Sequence, residues 1–164
     1  MLGAMIDAPL TLHRETVRPE WIDYNGHMNV AYYVLAFDHA TDAFLDYLGV
    51  DEAYRTRTNC STFTLEGHVS YEREVAEGAP ISFTTHVLDC DAKRVHYFLS
   101  MYHAEEGFLA ATCEWMLMHM DMGARRSAPF PAEVQSRLAA IVEAHKTLQR
   151  PPQVGRVIGI RRKR

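Results

Sequence analysis

The run Asp23-Tyr24-Asn25-Gly26-His27-Met28-Asn29 is the densest group of chemistry-bearing residues in the chain. Asn25-Gly26 is a strong turn dipeptide and Asn29 a good helix N-cap, which sets Asp23 one short loop ahead of a helix N-terminus. The first amides of a helix have no intrahelical partner, and those around Asn29, Val30 and Ala31 are expected to face an oxygen on which negative charge develops. A carboxylate beside such donors suits activation of water, or direct attack, at a carbonyl carbon. Losing one such donor typically costs roughly 3–4 kcal/mol of transition-state stabilisation. On local sequence alone the commoner reading of Asp23 is a turn acid. His27 is then a loop histidine and Asn29 a cap.

Other groups carry weaker signals. Glu66 and His68 are two apart on a predicted strand, so both point to its polar face, where a solvated or cross-strand-paired Glu is at least as common as a catalytic one. Arg125-Arg126-Ser127 follows the last long strand, and paired arginines recognise phosphates, although an ordinary basic loop has the same composition. Met116, Met118, Met120 and Met122 alternate with Trp115, Leu117, His119 and Asp121; methionine in a strand is mostly adaptable packing. His86, His96, His103 and His119 show no recognised ligand spacing, so no metal site is expected. Cys60, Cys90 and Cys113 are odd in number and lack Cys-x-x-Cys spacing, which argues against a disulfide framework or zinc cage and fits a reducing compartment. No base is placed to activate Cys60 or Cys113.

The elements that must position these groups follow from periodicity. Leu10–Arg18 alternates loosely and is a predicted first strand. Val30–Leu48 is a predicted helix with Val30, Val34, Phe37, Thr41, Phe44, Leu45 and Leu48 on one stripe and Tyr32, Ala36, Ala40, Ala43 and Tyr47 beside it, stopped by Gly49. Only Asp38, Asp42 and Asp46 mark a polar edge, so this helix should be central and buried on most sides. Asp51–Asn59 is expected to be a polar connection. Beyond it the period changes to two: Phe63, Leu65, Val69, Tyr71 and Val75 should share one strand face. Strands Ile81–Leu88, Lys93–His103 and Phe108–Met122 follow across short turns, as an antiparallel meander. A last helix opens after Phe130, with Pro131 in its first position and Val134, Leu138, Ile141 and Leu148 on one face. The expected class is α+β, a sheet wrapping a long central helix: one domain over residues 1–150, then a basic tail, 151–164. The 164 residues are 48% hydrophobic and 23% charged with net charge −4, enough for one core and a poor match to nucleic-acid binding, despite the Arg161–Arg164 end. No apolar run approaches 18 residues, and the N-terminus lacks a signal-peptide pattern, so a cytoplasmic protein without membrane attachment is expected.

This order, with WIDYNGHMNVAYYVLAFDHATDAFL leading into the helix, resembles the hotdog-fold acyl-CoA thioesterases of the 4-hydroxybenzoyl-CoA thioesterase type over roughly Leu10 to Pro131. The family pattern has an Asp three residues before a Gly, often followed by His-x-Asn and then the central helix. A further Asp often found two residues upstream is Trp21 here, leaving one acid in the loop. A narrower similarity, carried by VRPEWIDYNGHMNVAYY, EGHVSYEREV and DMGARRSAPFP, is to thioesterases of carnitine breakdown that act on betainyl-CoA. The resemblance implies a cofactor-free homodimer or homotetramer hydrolysing an acyl-CoA, with coenzyme A entering only as part of the substrate. Asp23 is then base or nucleophile, with His27 and Asn29 beside the thioester and the Val30 region as oxyanion hole. It also implies Glu66, with His68 near it, as a second carboxylate from the other side of a subunit interface, and Arg125, Arg126 and Ser127 at the nucleotide end of coenzyme A. Trp21, Tyr24, Tyr32 and Tyr33 near Asp23 would suit a trimethylammonium acyl group through cation–π attraction, or serve as packing for a plain acyl chain. A hydratase or dehydratase on the same fold, and a non-catalytic acyl-CoA-binding module, remain the alternatives.

Overall fold

In the computed structural model, which describes residues 5–160 and 162, the Asn29 side chain accepts the Ala31 amide at 3.0 Å and opens helix α1, Val30–Leu48. Gly49 closes it at φ 82°, donating to the Leu45 and Asp46 carbonyls in a conformation that a Cβ would strain. One face of α1 is buried: Tyr33, Ala36, Phe37, Ala40, Thr41, Phe44, Leu45 and Leu48. Asp38, Asp42 and Asp46 are exposed, as expected, but so are Val30, Val34, Leu35 and Tyr47. Within one chain the helix is therefore covered on one side rather than on most.

The covering layer is an antiparallel sheet of β1 (Leu10–Thr16), β2 (Cys60–Tyr71), β3 (Pro80–Cys90), β4 (Arg94–His103) and β5 (Leu109–Asp121), in the order β1-β3-β4-β5-β2, with β6 (Arg126–Ser127) paired to the end of β5. Register shifts interrupt all four long ladders, and such bulges bend a sheet so that it curls around a helix. The meander expectation holds for β3-β4-β5. It fails for β2, which crosses to the far edge beside β5 through the link 72–79. Eight residues are ample for three inter-strand steps of about 4.8 Å each, and the link is pinned on the way by Val75, buried, and by the Gly78 amide on the Val17 carbonyl at 2.9 Å.

Three other expectations change. Residues Glu52–Thr58 are not a loop but a short helix, α2, because Asp51 caps it by accepting the Tyr54 amide at 2.7 Å. Helix α3 runs Ala132–His145 with Pro131 as its N-cap, so Leu148 lies beyond its end and His145 takes the fourth buried position. In β2 the pairing skips Leu65, between Thr64↔Leu117 and Glu66↔Met116, and one extra residue reverses side-chain parity. Phe63 therefore pairs with Met118 on the outer face while Val69 and Tyr71 face the helix side with Cys113 and Ala111. Phe63, Leu65 and Tyr71 are 44, 52 and 48% exposed on this unpaired edge strand. The methionine row Met116, Met118, Met120 is half-buried on the outer face, opposite buried Trp115, Leu117 and His119, as its alternation predicts.

Two hydrogen-bonded ties fix the layers. The Tyr97 phenol of β4 meets the Thr41 hydroxyl of α1 at 3.0 Å in the core, and burial pushes the phenol's pKa up. The Tyr54 hydroxyl meets His119 Nε2 at 2.8 Å while His119 Nδ1 lies 2.9 Å from the Ala128 carbonyl. The carbonyl can only accept, so Nδ1 carries a proton, and in the neutral ring the phenol donates to Nε2. No helix among the described residues is long and apolar enough to cross a membrane.

Gly67 lies opposite Trp115 across the β2–β5 ladder, and a Cβ there would come within 2.8 Å of the indole nitrogen. Trp115 is backed by Tyr97, ring centroids 6.2 Å apart, so it has little room to retreat. Gly67→Ala is expected to destabilise the fold by about 1–3 kcal/mol, the usual range for overpacking, read as a lowered midpoint in urea unfolding with unchanged slope; wild-type stability would mean the indole re-seats freely.

Candidate active site

The loop before α1 is organised by its own backbone. Trp21 closes a 3-10 turn, and its carbonyl accepts the Asn29 amide at 2.8 Å. The Asp23 amide donates to His27 O at 3.1 Å and Gly26 N to Asp23 O at 3.0 Å, with Gly26 at φ 81° as the turn requires. The Met28 amide donates to the Val75 carbonyl at 2.9 Å, which ties the loop to the 72–79 link. These bonds hold the Asp23 carboxylate at the mouth of a cleft of about 400 Å³.

Asp23 Oδ1 accepts the Asn25 amide at 2.8 Å and Oδ2 accepts the Asn29 side-chain amide at 3.1 Å. The carboxyl is held below its ordinary value, first by the Asn25 N–H, with desolvation opposing and Asn29 and His27 assisting. Asn29 thus acts twice, as the cap of α1 and as a donor to Asp23. Of the three helix-start amides, Asn29 N is spent on Trp21 O and Ala31 N on Asn29 Oδ1. Among the described residues, only the Val30 amide of the three makes no hydrogen bond, so it alone of them is free to meet an oxygen in the cleft.

His27 also lines the cleft; its Nε2 lies 3.6 Å from Glu74, while Nδ1 makes a long 3.4 Å contact to Met28 O. The aromatic wall differs from the sequence expectation. Trp21 is buried and stacked on Tyr32 at 5.7 Å, away from the cleft, because the 3-10 turn folds it inward. Tyr24, Tyr33 and Tyr71 line the cleft instead, with Tyr33 and Tyr71 edge-to-face at 5.2 Å and the Tyr71 hydroxyl 3.4 Å from the Val30 carbonyl. Burial pushes the phenols of Tyr33 and Tyr71 up, so they stay neutral. Tyr71 and Arg73, which lies 3.9 Å over the Phe108 ring, were not legible as site residues: only the β2–β5 pairing carries them to the loop.

Glu66 and His68 do not join this cleft within the chain. They face the outer side of the sheet, in a separate cavity of about 410 Å³ with His96 and Glu114, beneath Gly155 and Arg156 of the tail. Arg125, at φ 51°, Arg126 and Ser127 sit at the opposite end of the sheet, beside Met120 and Asp121. The ladder from Tyr71↔Ala111 to Cys60↔Asp121 separates them from Asp23, about 30 Å at the usual rise per residue. Arg161, Lys163 and Arg164 of the basic end lie outside the described residues. Cys113 is buried with its thiol pKa pushed up, and Cys60 and Cys90 are unpaired.

The thioesterase-like superfamily model matches residues 17–138. Over 151 residues the chain is 44% identical to the betainyl-CoA thioesterase of Pseudomonas aeruginosa, covering 92% of this chain and 95% of that one. It is 38% identical over 154 residues to an L-carnitine dehydrogenase/betainyl-CoA thioesterase of Rhizobium meliloti, covering 94% of this chain and 31% of that longer protein. A Staphylococcus aureus protein solved in complex with CoA superposes with a TM-score of 0.87 at 33% identity, over 94% of this chain and 98% of its own. A family match that spans the Asp23 loop, α1 and strands β2 to β6 settles the assignment: the chain belongs to the thioesterase-like superfamily and has its hotdog fold.

Proposed function

We propose that this chain is an acyl-CoA thioesterase whose preferred substrate is betainyl-CoA. The observation that carries the reading is an oriented, ionised Asp23 in one cleft with the unspent Val30 amide. Asp23 takes a proton from water as the water oxygen attacks the thioester carbonyl carbon. The carbonyl oxygen, now negative, accepts from Val30 N–H, and collapse of the tetrahedral adduct breaks the C–S bond and releases the coenzyme A thiolate. Direct attack by Asp23, with hydrolysis of the anhydride, satisfies the same geometry. Neither route calls for a cofactor beyond the coenzyme A of the substrate.

The acyl preference rests on the cleft's lining. Tyr24, Tyr33 and Tyr71 line the cleft, and the carboxylates of Asp23, Glu72 and Glu74 outnumber the single guanidinium of Arg73, which together favour a trimethylammonium group over a neutral acyl chain. The 44% identical betainyl-CoA thioesterase supports the same choice.

A homodimer supplies what one chain lacks, and a homotetramer would be built from it. The unpaired edge of β2 exposes backbone donors and acceptors together with Phe63, Leu65 and Tyr71, next to exposed Val30 and Val34 of α1. Antiparallel pairing of two β2 edges about a two-fold near Leu65 carries Arg125 and Arg126 of the partner subunit toward this chain's Asp23 cleft. There they would meet the phosphates of coenzyme A.

Asp23→Asn, which keeps an oxygen to accept the Asn25 amide, is expected to lower kcat on betainyl-CoA by about 10²–10⁴-fold in a thiol-release assay; undiminished turnover of the folded variant would remove Asp23 from the mechanism. Because Asp23 works ionised and its carboxyl is held down, the acid limb of kcat/KM should lie below the ordinary aspartate value of about 3.9. Asn29→Ala removes one of the bonds that lower it and should move that limb to higher pH. In sedimentation, wild type is expected as a dimer or tetramer, and Phe63→Lys with Leu65→Lys as a folded monomer of much reduced kcat/KM; a fully active monomer would exclude the shared site.

A further inference from the structure

The helix-facing row of β1 should be apolar, since β1 packs on α1, yet it reads His13, Glu15 and then buried Val17. Opposite them α1 presents His39. Glu15 Oε1 lies 3.1 Å from His13 Nε2, and both Glu15 oxygens lie 3.1 Å from His39 Nδ1. One ligand atom from each of the three side chains falls within 4.8 Å of the other two. The Glu15 side chain is only 11% exposed, and its ion-pair partners among the described residues are these two imidazoles. The rings are held from behind: His13 rests on Phe83 with centroids 5.4 Å apart, and His39 lies 6.3 Å from Trp21.

We propose that His13, Glu15 and His39 form a binding site for a borderline divalent transition-metal ion of the Zn²⁺ type. Two imidazole nitrogens and a carboxylate are the His₂Glu donor set of a tetrahedral zinc centre, whose bonds are about 2.0–2.2 Å, and they lie near enough for small side-chain rotations to bring them onto one ion. The fourth position is taken by water. Each imidazole offers the nitrogen that now faces Glu15 and keeps its proton on the other one. The carboxylate, largely withdrawn from solvent, gains the divalent charge of the ion as a partner. Mixed nitrogen and oxygen donors disfavour Mg²⁺ and Ca²⁺, which prefer all-oxygen shells. The ion would clasp the edge strand β1 to the middle of α1. It would also steady Trp21, whose ring packs toward His39 and whose carbonyl receives the Asn29 amide. The sequence hides the site because His13 and Glu15 are two apart on a strand while His39 lies on a helix well downstream.

The test is a titration of untagged, chelator-stripped full-length protein with ZnCl₂, by calorimetry and by competition with a chromophoric chelator, with MgCl₂ in parallel. One Zn²⁺ per chain with micromolar or tighter Kd, a raised Tm, and at least about 10-fold weaker binding in each of His13→Gln and His39→Gln are expected. The half-exposed His39→Gln variant is the better-folded control, and visible d–d bands on Co²⁺ loading, lost in that variant, report the donor set directly. Absence of stoichiometric binding, binding untouched by His39→Gln, or equal affinity for Mg²⁺ would each overturn the site, and would show His13-Glu15-His39 to be a hydrogen-bonded bridge alone. Thioester hydrolysis is assayed separately, so these outcomes are independent of Asp23.

Discussion

One side chain joins the fold to the chemistry. Asn29 spends its oxygen on the Ala31 amide, which starts α1, and its nitrogen on the Asp23 carboxylate. Helix nucleation is unfavourable without such a cap, and a carboxylate at the surface wanders without a donor. With both duties on one amide, the position of the acid is set by the position of the helix. The helix in turn is set by the sheet through Thr41 and Tyr97. Substitution at Asn29 therefore cannot separate structure from function cleanly, whereas substitution at Asp23 can.

A second constraint is the run of β2 from end to end of the sheet. Its end near Tyr71 lies against the Asp23 loop, and its beginning near Cys60 lies with the arginine loop at the far end of the ladder. A single sheet of this length keeps the acid and the paired cations apart. An unpaired, apolar-bearing edge is a liability in a monomer, and the strand that carries it is the same one that spans the distance between the Asp23 loop and the arginines.

Local signals carried far in this sequence. The Asn-Gly turn, the Asn29 cap and the Gly49 stop bound α1 to the residue, and period-two runs marked the three meander strands. What escaped was non-local. Nothing near Leu65 announces a bulge, and one extra residue moved Phe63 to the opposite face from Val69 and Tyr71. The departure of β2 from the meander is a matter of pairing energy across the sheet, not of its own composition. For the same reason Tyr71 and Arg73 could not be foreseen beside Asp23, while Trp21, adjacent in sequence, turned inward to stack on Tyr32. The helix-start amides were legible as a group, but which of them stayed unspent depended on the Trp21 carbonyl and the Asn29 side chain.

The link 72–79 has a consequence for how the molecule assembles. Strands β3, β4 and β5 are joined by tight turns, so their pairings close short loops early. β2 precedes them in the chain yet pairs with the last of them, and cannot dock until β5 is in place. Only then is the link fixed, and only then does the Val75 carbonyl meet the Met28 amide that holds the Asp23 loop. The anchoring of the Asp23 loop is therefore among the last contacts to form: a chain in which the meander has formed but β2 has not docked would hold most of its secondary structure, with the loop ordered by its own hydrogen bonds but not yet tied to the 72–79 link.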